Sequence, residues 1–441
     1  NTLSGLPGLP ALTYGVDGEG RGYSVFANSG QNPILSTLYN PADKPTYVTF
    51  GSNDTDQFAY DSNTGRLTQY QFTISGQSLT GSLVWNANHS LQSVSITDPF
   101  NASNSQNCQY SFDDLRRVSS TNCGSPWSQS FSYDPFGNIT KGGSGSFQPT
   151  YSPATNRMTL LPGGFVPSYD SNGNLLNDSF HIYSWDADGH PVAIDSVGLT
   201  YDALGRMVEQ NRSGAYTQIV YTPSGIKLAL MNGQALQKAF VPLPSGAKAV
   251  YTASGLSYYR HPDWLGSSRL ASTPSRTIYA DVAYAPFGES YAQSGNTDLS
   301  FTGQNQDTVT GLYDFPAREY SPAQGRWISP DPAGIASLKA KDPRTWNRYA
   351  YAINDPVGRI DPNGECSQPA GLQPGQIGVC IDLYIQSATV PGAGAPPFVV
   401  GVGDNHGPVG NDPSATFRME YHIVYDPQNH VVSADAQPGI S

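Results

Sequence analysis

The chain has 441 residues, among them 46 glycines, 35 prolines and 27 tyrosines, and only 13% of the residues are charged. Its formal net charge of −12 provides no basic surface to neutralise phosphates, which argues against nucleic-acid binding. No apolar run reaches the roughly 20 residues that a membrane-spanning helix needs, so we expect no membrane span. Tyrosine, threonine and valine favour strands, whereas glycine, proline, asparagine and aspartate end them. This composition predicts an all-β fold of many short strands.

One phrase recurs along the first half of the chain: an aromatic residue, Asp, two further residues, Gly or a polar substitute, a polar or basic residue, and an apolar residue. Neighbouring copies start 16 to 21 residues apart, since 185 minus 169 gives 16 and 133 minus 112 gives 21. That spacing suits one β-hairpin per copy. The residues that define the phrase are Tyr60, Asp61, Tyr133, Asp134, Gly137, Tyr169, Asp170, Gly173, Trp185, Asp186, Tyr201, Asp202 and Gly205.

Each part of this phrase has a physical role in a strand-turn-strand unit. The aromatic residue ends one strand and buries its ring, the Asp accepts hydrogen bonds from turn amides, and the Gly supplies a positive φ. The apolar residue then starts the return strand. Because a lone hairpin is marginal in water, the copies must stack and bury one another's aromatic faces. We therefore expect function to belong to the assembled sheet.

The four cysteines form two close pairs in the sequence, Cys108 with Cys123 and Cys366 with Cys380. Four cysteines permit three pairings; we predict the local one, which closes loops of about 15 residues worth about 3 kcal/mol each. Disulfides favour a secreted or cell-surface protein, and four unpaired cysteines in a cytosolic protein are the alternative. The first residue, Asn1, favours a processed product or a fragment.

The repeated phrases resemble the YD repeats of RHS proteins, and the chain after residue 250 resembles the RHS repeat-associated core of that family. A single phrase is weak evidence, but the core motifs occur as an ordered series. They are YYRHPDWLGS at 258–267, YAPFG at 284–288, FTGQ at 301–304, GLY at 311–313, REY at 318–320, GRWISPDPAG at 325–334, NRYAY at 347–351 and DPNG at 361–364.

The resemblance implies stacked hairpins in a spiral strip or shell that encloses a hollow, as in toxin-complex components, polymorphic toxins and teneurins. It divides the chain into YD-repeat hairpins at 1–250, the core at 251–365 and a variable C-terminal segment at 366–441. In such proteins the hollow holds the polypeptide that follows the core. Here that segment is predicted to be β-rich, because 379–385 and 417–425 alternate like strands.

The resemblance also suggests the function of a secreted scaffold that encapsulates or presents its C-terminal polypeptide in intercellular or toxin-type interactions. Its expected partners are its own C-terminal segment and a cell-surface protein or glycan, and we expect no cofactor. One alternative is an extracellular fibre of identical subunits, because an open strip has unpaired strand edges. Another is a self-cleaving toxin precursor.

Self-cleavage is the one chemical activity that the resemblance implies, and at most it is a single-turnover reaction. The family pattern carries over to Asp331 and Asp361 as paired acids, with Arg326 nearby in the motif, and would cut near Glu365-Cys366. One acid of such a pair keeps a proton while the other activates water. This sequence departs from the pattern, because Glu365 stands where cleaving members carry Leu and Asp355 replaces a more usual Asn.

Other candidate sites have simpler explanations. The acidic stretches at 53–56 and 186–189 lack the further ligands of a calcium loop and are predicted to be turns. His261 is predicted to lie in the wall, because neither a nucleophile elbow nor a His-x-x-x-His pair accompanies the histidines. Trp85, Trp127 and Trp264 are predicted to fill the core rather than to stack on sugars.

Overall fold

The computed structural model describes residues 2–365 and 367–369 and, beyond them, the strands within 378–386, 399–402, 417–425 and 431–438. The described residues form antiparallel β-strands and no α-helix, so the predicted all-β fold of stacked hairpins is confirmed. Among them we find no helix with the length and apolarity to cross a membrane. The short 3₁₀ turns are Ala102–Asn104, Pro244–Gly246, Gly334–Ser337, Pro343–Thr345 and Tyr351–Asn354.

Thirteen strands form the first sheet, and each pairs with the next strand along the chain. This order is a series of hairpins without crossovers. The strands are β1 (Thr2–Leu3), β2 (Leu12–Val16), β3 (Gly22–Ala27), β4 (Ile34–Tyr39), β5 (Pro45–Phe50), β6 (Thr55–Tyr60), β7 (Leu67–Ile74), β8 (Gln77–Trp85), β9 (Leu91–Thr97), β10 (Gln106–Phe112), β11 (Val118–Asn122), β12 (Ser128–Tyr133) and β13 (Ile139–Gly143).

The alternation of buried and half-buried residues explains why these segments are strands. In β7 the side chains of Tyr70, Phe72 and Ile74 are buried, and the residues between them are not. A period of two puts all three on one face of the sheet. The Tyr70 ring lies over Gly81 of β8, its direct partner in the register, where a Cβ atom would collide with it. Glycine is therefore required at that position.

Two short hairpins connect the first sheet to a second sheet of twelve strands, again paired in chain order. The second sheet continues across residue 250, which lies inside β25. The hairpins are β14 (Thr150–Tyr151) with β15 (Met158–Leu160) and β16 (Ser168–Tyr169) with β17 (Leu175–Asn177). The second sheet contains β18 (Tyr183–Trp185), β19 (Pro191–Ile194), β20 (Val197–Tyr201), β21 (Met207–Arg212), β22 (Ala215–Tyr221), β23 (Lys227–Asn232), β24 (Ala235–Pro242), β25 (Lys248–Thr252), β26 (Gly255–Pro262), β27 (Ser268–Ser272), β28 (Ile278–Tyr284) and β29 (Ser290–Gly295).

The two sheets pack against each other through their apolar faces. One buried cluster joins Val48 and Phe50 of the first sheet to Val241 and Tyr251 of the second. A second cluster joins Phe72 to residues of β27 and its surroundings. Each fully buried side chain of this size contributes about 1.5–3 kcal/mol. The space between the sheets at these clusters is therefore a packed core.

After residue 300 the chain forms small hairpins around a buried aromatic cluster, in which Phe315, Tyr320, Trp327 and Tyr351 contact one another. These elements are β30 (Ser300–Phe301), β31 (Gln304–Asn305), β32 (Tyr313–Asp314), β33 (Glu319–Ser321), β34 (Arg326–Trp327), β35 (Arg359–Ile360) and β36 (Gln368–Pro369).

The last four described strands form a separate antiparallel sheet in the order β38, β37, β39, β40. The strands predicted near 379–385 and 417–425 are both present. The four strands are β37 (Gly378–Gln386), β38 (Val399–Val402), β39 (Phe417–Tyr425) and β40 (Val431–Pro438).

A disulfide joins Cys108 in β10 to Cys123 just after β11, which confirms the first predicted pairing. Cys366 lies outside the described residues, so its pairing with Cys380 stays a prediction. The bond spans 15 residues of sequence, and such a loop is worth about 3 kcal/mol.

We expect the Cys108→Ala/Cys123→Ala double variant to lose about 3 kcal/mol of unfolding free energy, because its unfolded chain regains the entropy of the open loop. Urea denaturation measures the loss. A double variant as stable as the unmodified protein would contradict a stabilising role for this bond.

Candidate functional site

The repeated Asp organises every turn in which it occurs. At Asp202, Oδ1 accepts hydrogen bonds from the amides of Leu204 at 2.9 Å and Arg206 at 3.0 Å, while Oδ2 accepts from Arg206 Nε at 2.8 Å. In the turns that begin at Asp134, Asp170 and Asp186, the fourth residue after the Asp is Asn or His instead of Arg, and it makes the same side-chain contact. The turn glycines Gly137, Gly173 and Gly205 have φ values of 77°, 100° and 71°, which is the positive φ that the phrase predicts.

The aromatic residue of each repeat contacts the repeat before it. Tyr133 Oη donates to the Val118 carbonyl at 2.7 Å, and the Arg117 guanidinium lies 4.3 Å from the centre of the Tyr133 ring. Trp85 contacts Leu67 and Arg66 in the same way. A cation over an aromatic face is worth about 0.5–1 kcal/mol at an exposed site. The basic position of the phrase therefore links neighbouring hairpins.

The other predicted repeat aromatics make equivalent contacts. The pairs are Tyr60 with Lys44 and the Pro45 carbonyl, Tyr169 with Arg157 and the Met158 amide, Trp185 with the Leu175 carbonyl, and Tyr201 with the His190 ring.

Asp331 and Asp361, the two acids of the predicted cleavage site, meet at one guanidinium, that of Arg318. Arg318 Nη2 lies 3.1 Å from Asp331 Oδ2 and 3.6 Å from Asp361 Oδ2, and all three side chains are buried. Arg318 Nε donates to the Gly364 carbonyl, and the Gly364 amide donates to Asp361 Oδ1 at 2.9 Å. The group thus holds the chain next to Glu365. A cavity of about 90 Å³, large enough for a few waters, adjoins it.

Arg326 lies elsewhere, so the structure does not bring it to the two acids as the motif suggested. Its Nη2 donates to the Asn156 carbonyl at 2.8 Å, and its guanidinium lies 4.5 Å from the Tyr349 ring centre. The reason is strand alternation: Trp327 faces Arg318 at 4.3 Å, so its neighbour Arg326 points to the opposite side. Sequence reasoning missed Arg318, although it belongs to the quoted REY motif.

The chain beyond Glu365 folds back on β35. Arg359 Nε donates to Ser367 Oγ at 2.8 Å, and its Nη2 donates to the Ser367 carbonyl at 2.7 Å. The strands β35 and β36 then pair through Ile360 and Gln368. Arg318 and Arg359 therefore fix the chain on either side of the predicted cleavage position.

Burial raises the pKa of Asp355, the residue that replaces a more usual Asn, to about 7, although Arg359 and the Gly358 amide oppose the shift. An unfolded Asp has a pKa of about 3.9, so the folded protein retains a proton that the unfolded chain releases. The proton on Asp355 therefore adds to the free energy of unfolding at low pH, and this contribution is lost as the pH rises from about 4 through about 7.

We therefore expect Asp355→Asn to gain on the order of 1–3 kcal/mol relative to the unmodified protein between pH 5 and pH 8. Urea denaturation at several pH values measures this difference, in which the other titrating groups cancel. Parallel pH profiles for the two proteins would show that Asp355 does not titrate in this range.

His261 lies inside the wall, as predicted, and forms a buried network with two neighbours. Its Nδ1 lies 2.8 Å from Asp56 Oδ1, and its Nε2 lies 2.8 Å from Ser272 Oγ. The three residues are fully buried, with exposures of 0%. An Asp-His-Ser order of this kind occurs in hydrolases, but no substrate reaches these atoms. The network instead joins the first sheet to the second.

The acidic residues that were considered as calcium ligands make contacts within the protein. Asp186, Asp188 and His190 place one ligand atom each within 4.8 Å of one another. Asp186 makes the same turn contacts as Asp202, with His190 in the place of the usual Arg. Asp54 pairs with Arg276 at 2.8 Å. These contacts agree with the predicted role of these residues in turns.

The chain is a series of tyrosine-aspartate hairpins in which Arg and Lys side chains stack on the aromatic ring of the next repeat, and a buried aromatic cluster closes the series. These features define a repeat protein of the YD-shell class. The chain belongs to the Teneurin YD-shell family, whose model matches residues 31–357. The predicted membership in the RHS and YD-repeat group is confirmed.

Known relatives include bacterial and animal proteins. The tRNA3(Ser)-specific nuclease WapA of Bacillus spizizenii is 26% identical over 254 residues, 53% of this chain and 11% of that protein. Teneurin-1 of Gallus gallus is 27% identical over 271 residues, 57% of this chain and 10% of that protein. This chain thus spans about a tenth of the length of these relatives.

The fold also matches a solved structure, the Tc holotoxin pore of Photorhabdus luminescens. The TM-score is 0.65 at 18% identity, and the match covers 80% of this chain and 20% of that chain. At this identity the match establishes the fold. The protein is therefore a member of the Teneurin YD-shell family whose fold is also present in this toxin-complex structure.

Proposed function

We propose that this protein is an extracellular scaffold that holds and presents its own C-terminal segment, residues 366–441, in toxin-type or intercellular interactions. The observation that carries the proposal is the fixation of the chain at the end of the core. Arg318 binds the Gly364 carbonyl, and Arg359 binds Ser367. These contacts hold the chain against the core at Gly364 and at Ser367.

The described wall has a packed core and leaves little free space, which favours presentation of the C-terminal segment over its enclosure. The sheets meet through buried clusters, and a large pocket between their rims measures about 770 Å³. That volume falls in the range of roughly 300–1,000 Å³ that suits small ligands, and it is too small for a segment of this length. The Cys108–Cys123 disulfide supports an oxidising, extracellular location.

Limited proteolysis of the full chain tests the proposal. If the segment is presented, a non-specific protease cuts beyond residue 369 first and leaves a resistant product that contains residues 2–365, because the wall strands are hydrogen-bonded and packed. First cuts within β2–β29 would contradict a stable wall. Resistance of the whole chain would favour enclosure.

A second candidate function, self-cleavage after Glu365, is supported by the meeting of Asp331 and Asp361 at Arg318. In this reaction the ionised acid takes a proton from water, whose oxygen bonds to the Glu365 carbonyl carbon. The protonated acid then gives its proton to the departing amide nitrogen of Cys366 as the peptide bond breaks. The Arg318 guanidinium lies beside both acids and restrains the chain through the Gly364 carbonyl.

Intact mass spectrometry tests self-cleavage. Two fragments that meet after Glu365 in the unmodified protein, together with a single full-length chain in Asp331→Asn and in Asp361→Asn, are the expected result. Arg326→Gln is the matched control and should still be cut, because Arg326 lies apart from the acids. One full-length chain in all four proteins would eliminate this function.

A further inference from the structure

A partly open pocket lies between the second sheet and the core, and Arg318 lines both this pocket and the cavity beside Asp331 and Asp361. It measures about 270 Å³, and we call it the acid pocket. Its apolar lining comprises the rings of Tyr201, Tyr221, Phe240 and Phe315. Its polar lining includes Lys227, Lys248, Asn305, Asp314 and Glu319. A pocket with aromatic walls and a few converging polar groups is the usual form of a small-ligand site.

Two carboxyl groups form the floor of the acid pocket. Asp314 and Glu319 are direct partners on β32 and β33, and both are buried, with exposures of 4% and 2%. Asp314 Oδ1 and Glu319 Oε2 accept no hydrogen bond from the described residues. Burial raises the pKa of Asp314 to about 6 and that of Glu319 well above its usual value. The two carboxyl groups therefore hold their protons more tightly than free carboxyl groups do.

The side-by-side placement of these carboxyl groups on paired strands favours binding over hydrolysis. A glycosidase keeps its two carboxyl groups about 5–9.5 Å apart, so that a sugar bond or a water fits between them. Asp314 and Glu319 are instead hydrogen-bonded to each other. Asp314 Oδ2 also accepts from the Asp307 amide at 3.1 Å, which fixes the pair in place.

A larger aromatic groove opens beside the acid pocket. It is the 770 Å³ pocket between the rims of the two sheets, and it shares Ile226, Lys248 and Gly303 with the acid pocket. Lys248 Nζ donates to the Gly303 carbonyl at 3.0 Å where the two meet. The rings that line the aromatic groove belong to successive repeats and to the core: Tyr14, Tyr39, Tyr60, Trp85 and Trp264. Trp85 and Trp264, which were predicted to fill the core, pack against it but are only half-buried and also border this groove.

Charges of both signs lie along this cleft, and some of them are paired within the protein. Asp43 pairs with Arg21 at 2.8 Å, and Lys227 pairs with Asp307 at 3.2 Å. Lys44 and Arg66 stack on the rings of the aromatic groove. A strongly charged ligand of either sign would meet like charges as well as opposite ones here. The fitting ligand is uncharged, has flat apolar faces for the rings, and has many hydroxyl groups for the carboxyl pair and Lys248.

We propose that the aromatic groove and the acid pocket together bind a neutral oligosaccharide, with one terminal sugar in the acid pocket. The chain of the glycan lies along the rings of the repeats. This proposal does not rest on the scaffold function, since it needs only the wall and the core.

Titration of the full-length protein with cellopentaose, chitopentaose and maltopentaose, followed by calorimetry and by tryptophan fluorescence from Trp85 and Trp264, tests the proposal. We expect saturable binding of at least one of them that does not change with salt. Ile226→Trp should weaken it roughly tenfold or more by blocking the junction, and Glu319→Gln should weaken it about tenfold by disturbing the carboxyl pair. Ile226 is 44% exposed, so the larger ring does not threaten folding.

Leu204→Trp is the matched control, because Leu204 is 57% exposed in the neighbouring repeat turn and lines neither cavity. It should bind as the unmodified protein does. Absence of binding to all three sugars, or binding that is indifferent to Ile226→Trp, would overturn the proposal. So would binding only of a sulfated oligosaccharide, or only of a synthetic peptide of residues 387–398, each of which would assign the cleft to another occupant.

Discussion

Replacement of Arg269 by Met is expected to lower the free energy of unfolding by about 3–5 kcal/mol. Arg269 is 2% exposed and binds Asp281 of β28. It also lies 2.9 Å from Asp98, which follows β9 of the first sheet. Removal of the guanidinium leaves two buried carboxylates without their counter-ion. Because Arg269 and Asp281 belong to the second sheet and Asp98 follows a strand of the first, the loss measures how strongly the sheets depend on each other.

Urea denaturation followed by circular dichroism measures this effect, and Arg344→Met is the control. Arg344 pairs with Asp342 inside one 3₁₀ turn, where both side chains are partly exposed. Its removal should cost about 1 kcal/mol or less. If Arg269→Met were no more harmful than Arg344→Met, the buried ion pairs between the sheets would not exist in solution.

Trp327→Ala is expected to cost about 3–5 kcal/mol, because it empties the centre of the aromatic cluster that closes the core. Trp327 is 1% exposed, and its ring centre lies 4.9 Å from that of Phe315 and 5.3 Å from that of Tyr320. It also covers Arg318, so the chain at Gly364 should loosen in the same variant. Thermal or urea unfolding measures the stability.

The second tryptophan of this region supplies the comparison. Trp346 is 55% exposed, and Trp346→Ala should change the unfolding free energy by no more than about 1 kcal/mol. Equal losses in the two variants would mean that the cluster is not packed as described.

The hairpins were predictable because their signals are local. Asp202 and Gly205 stand within one turn, and the positive φ and the amide hydrogen bonds follow from the residue types at fixed offsets. Cys108 and Cys123 were also close enough in sequence to pair across adjacent strands. The polar or basic position was recognised as part of the phrase, but its stacking on the next aromatic was not, because that contact joins separate repeats.

The packing of the sheets and the composition of the site were not predictable in the same way. Nothing in the spacing of the repeats indicates that Asp56 meets His261 or that Asp98 meets Arg269, since these pairs are far apart in sequence. Arg326 was named with Asp331 and Asp361 because it is close to Asp331 in the motif, but its guanidinium lies beside Asn156 and Tyr349. Strand alternation turns it away, and a paired strand brings Arg318 in instead.

Native-state hydrogen exchange tests most directly whether the two sheets form one packed wall. The described packing predicts that the slowest amides of β7–β9 and of β24–β28 exchange with the same opening free energy, equal to that of global unfolding, and that Arg269→Met lowers both values together. If the slowest amides of one sheet opened at a clearly lower free energy than those of the other, or if the variant destabilised only one sheet, the packed wall would be contradicted.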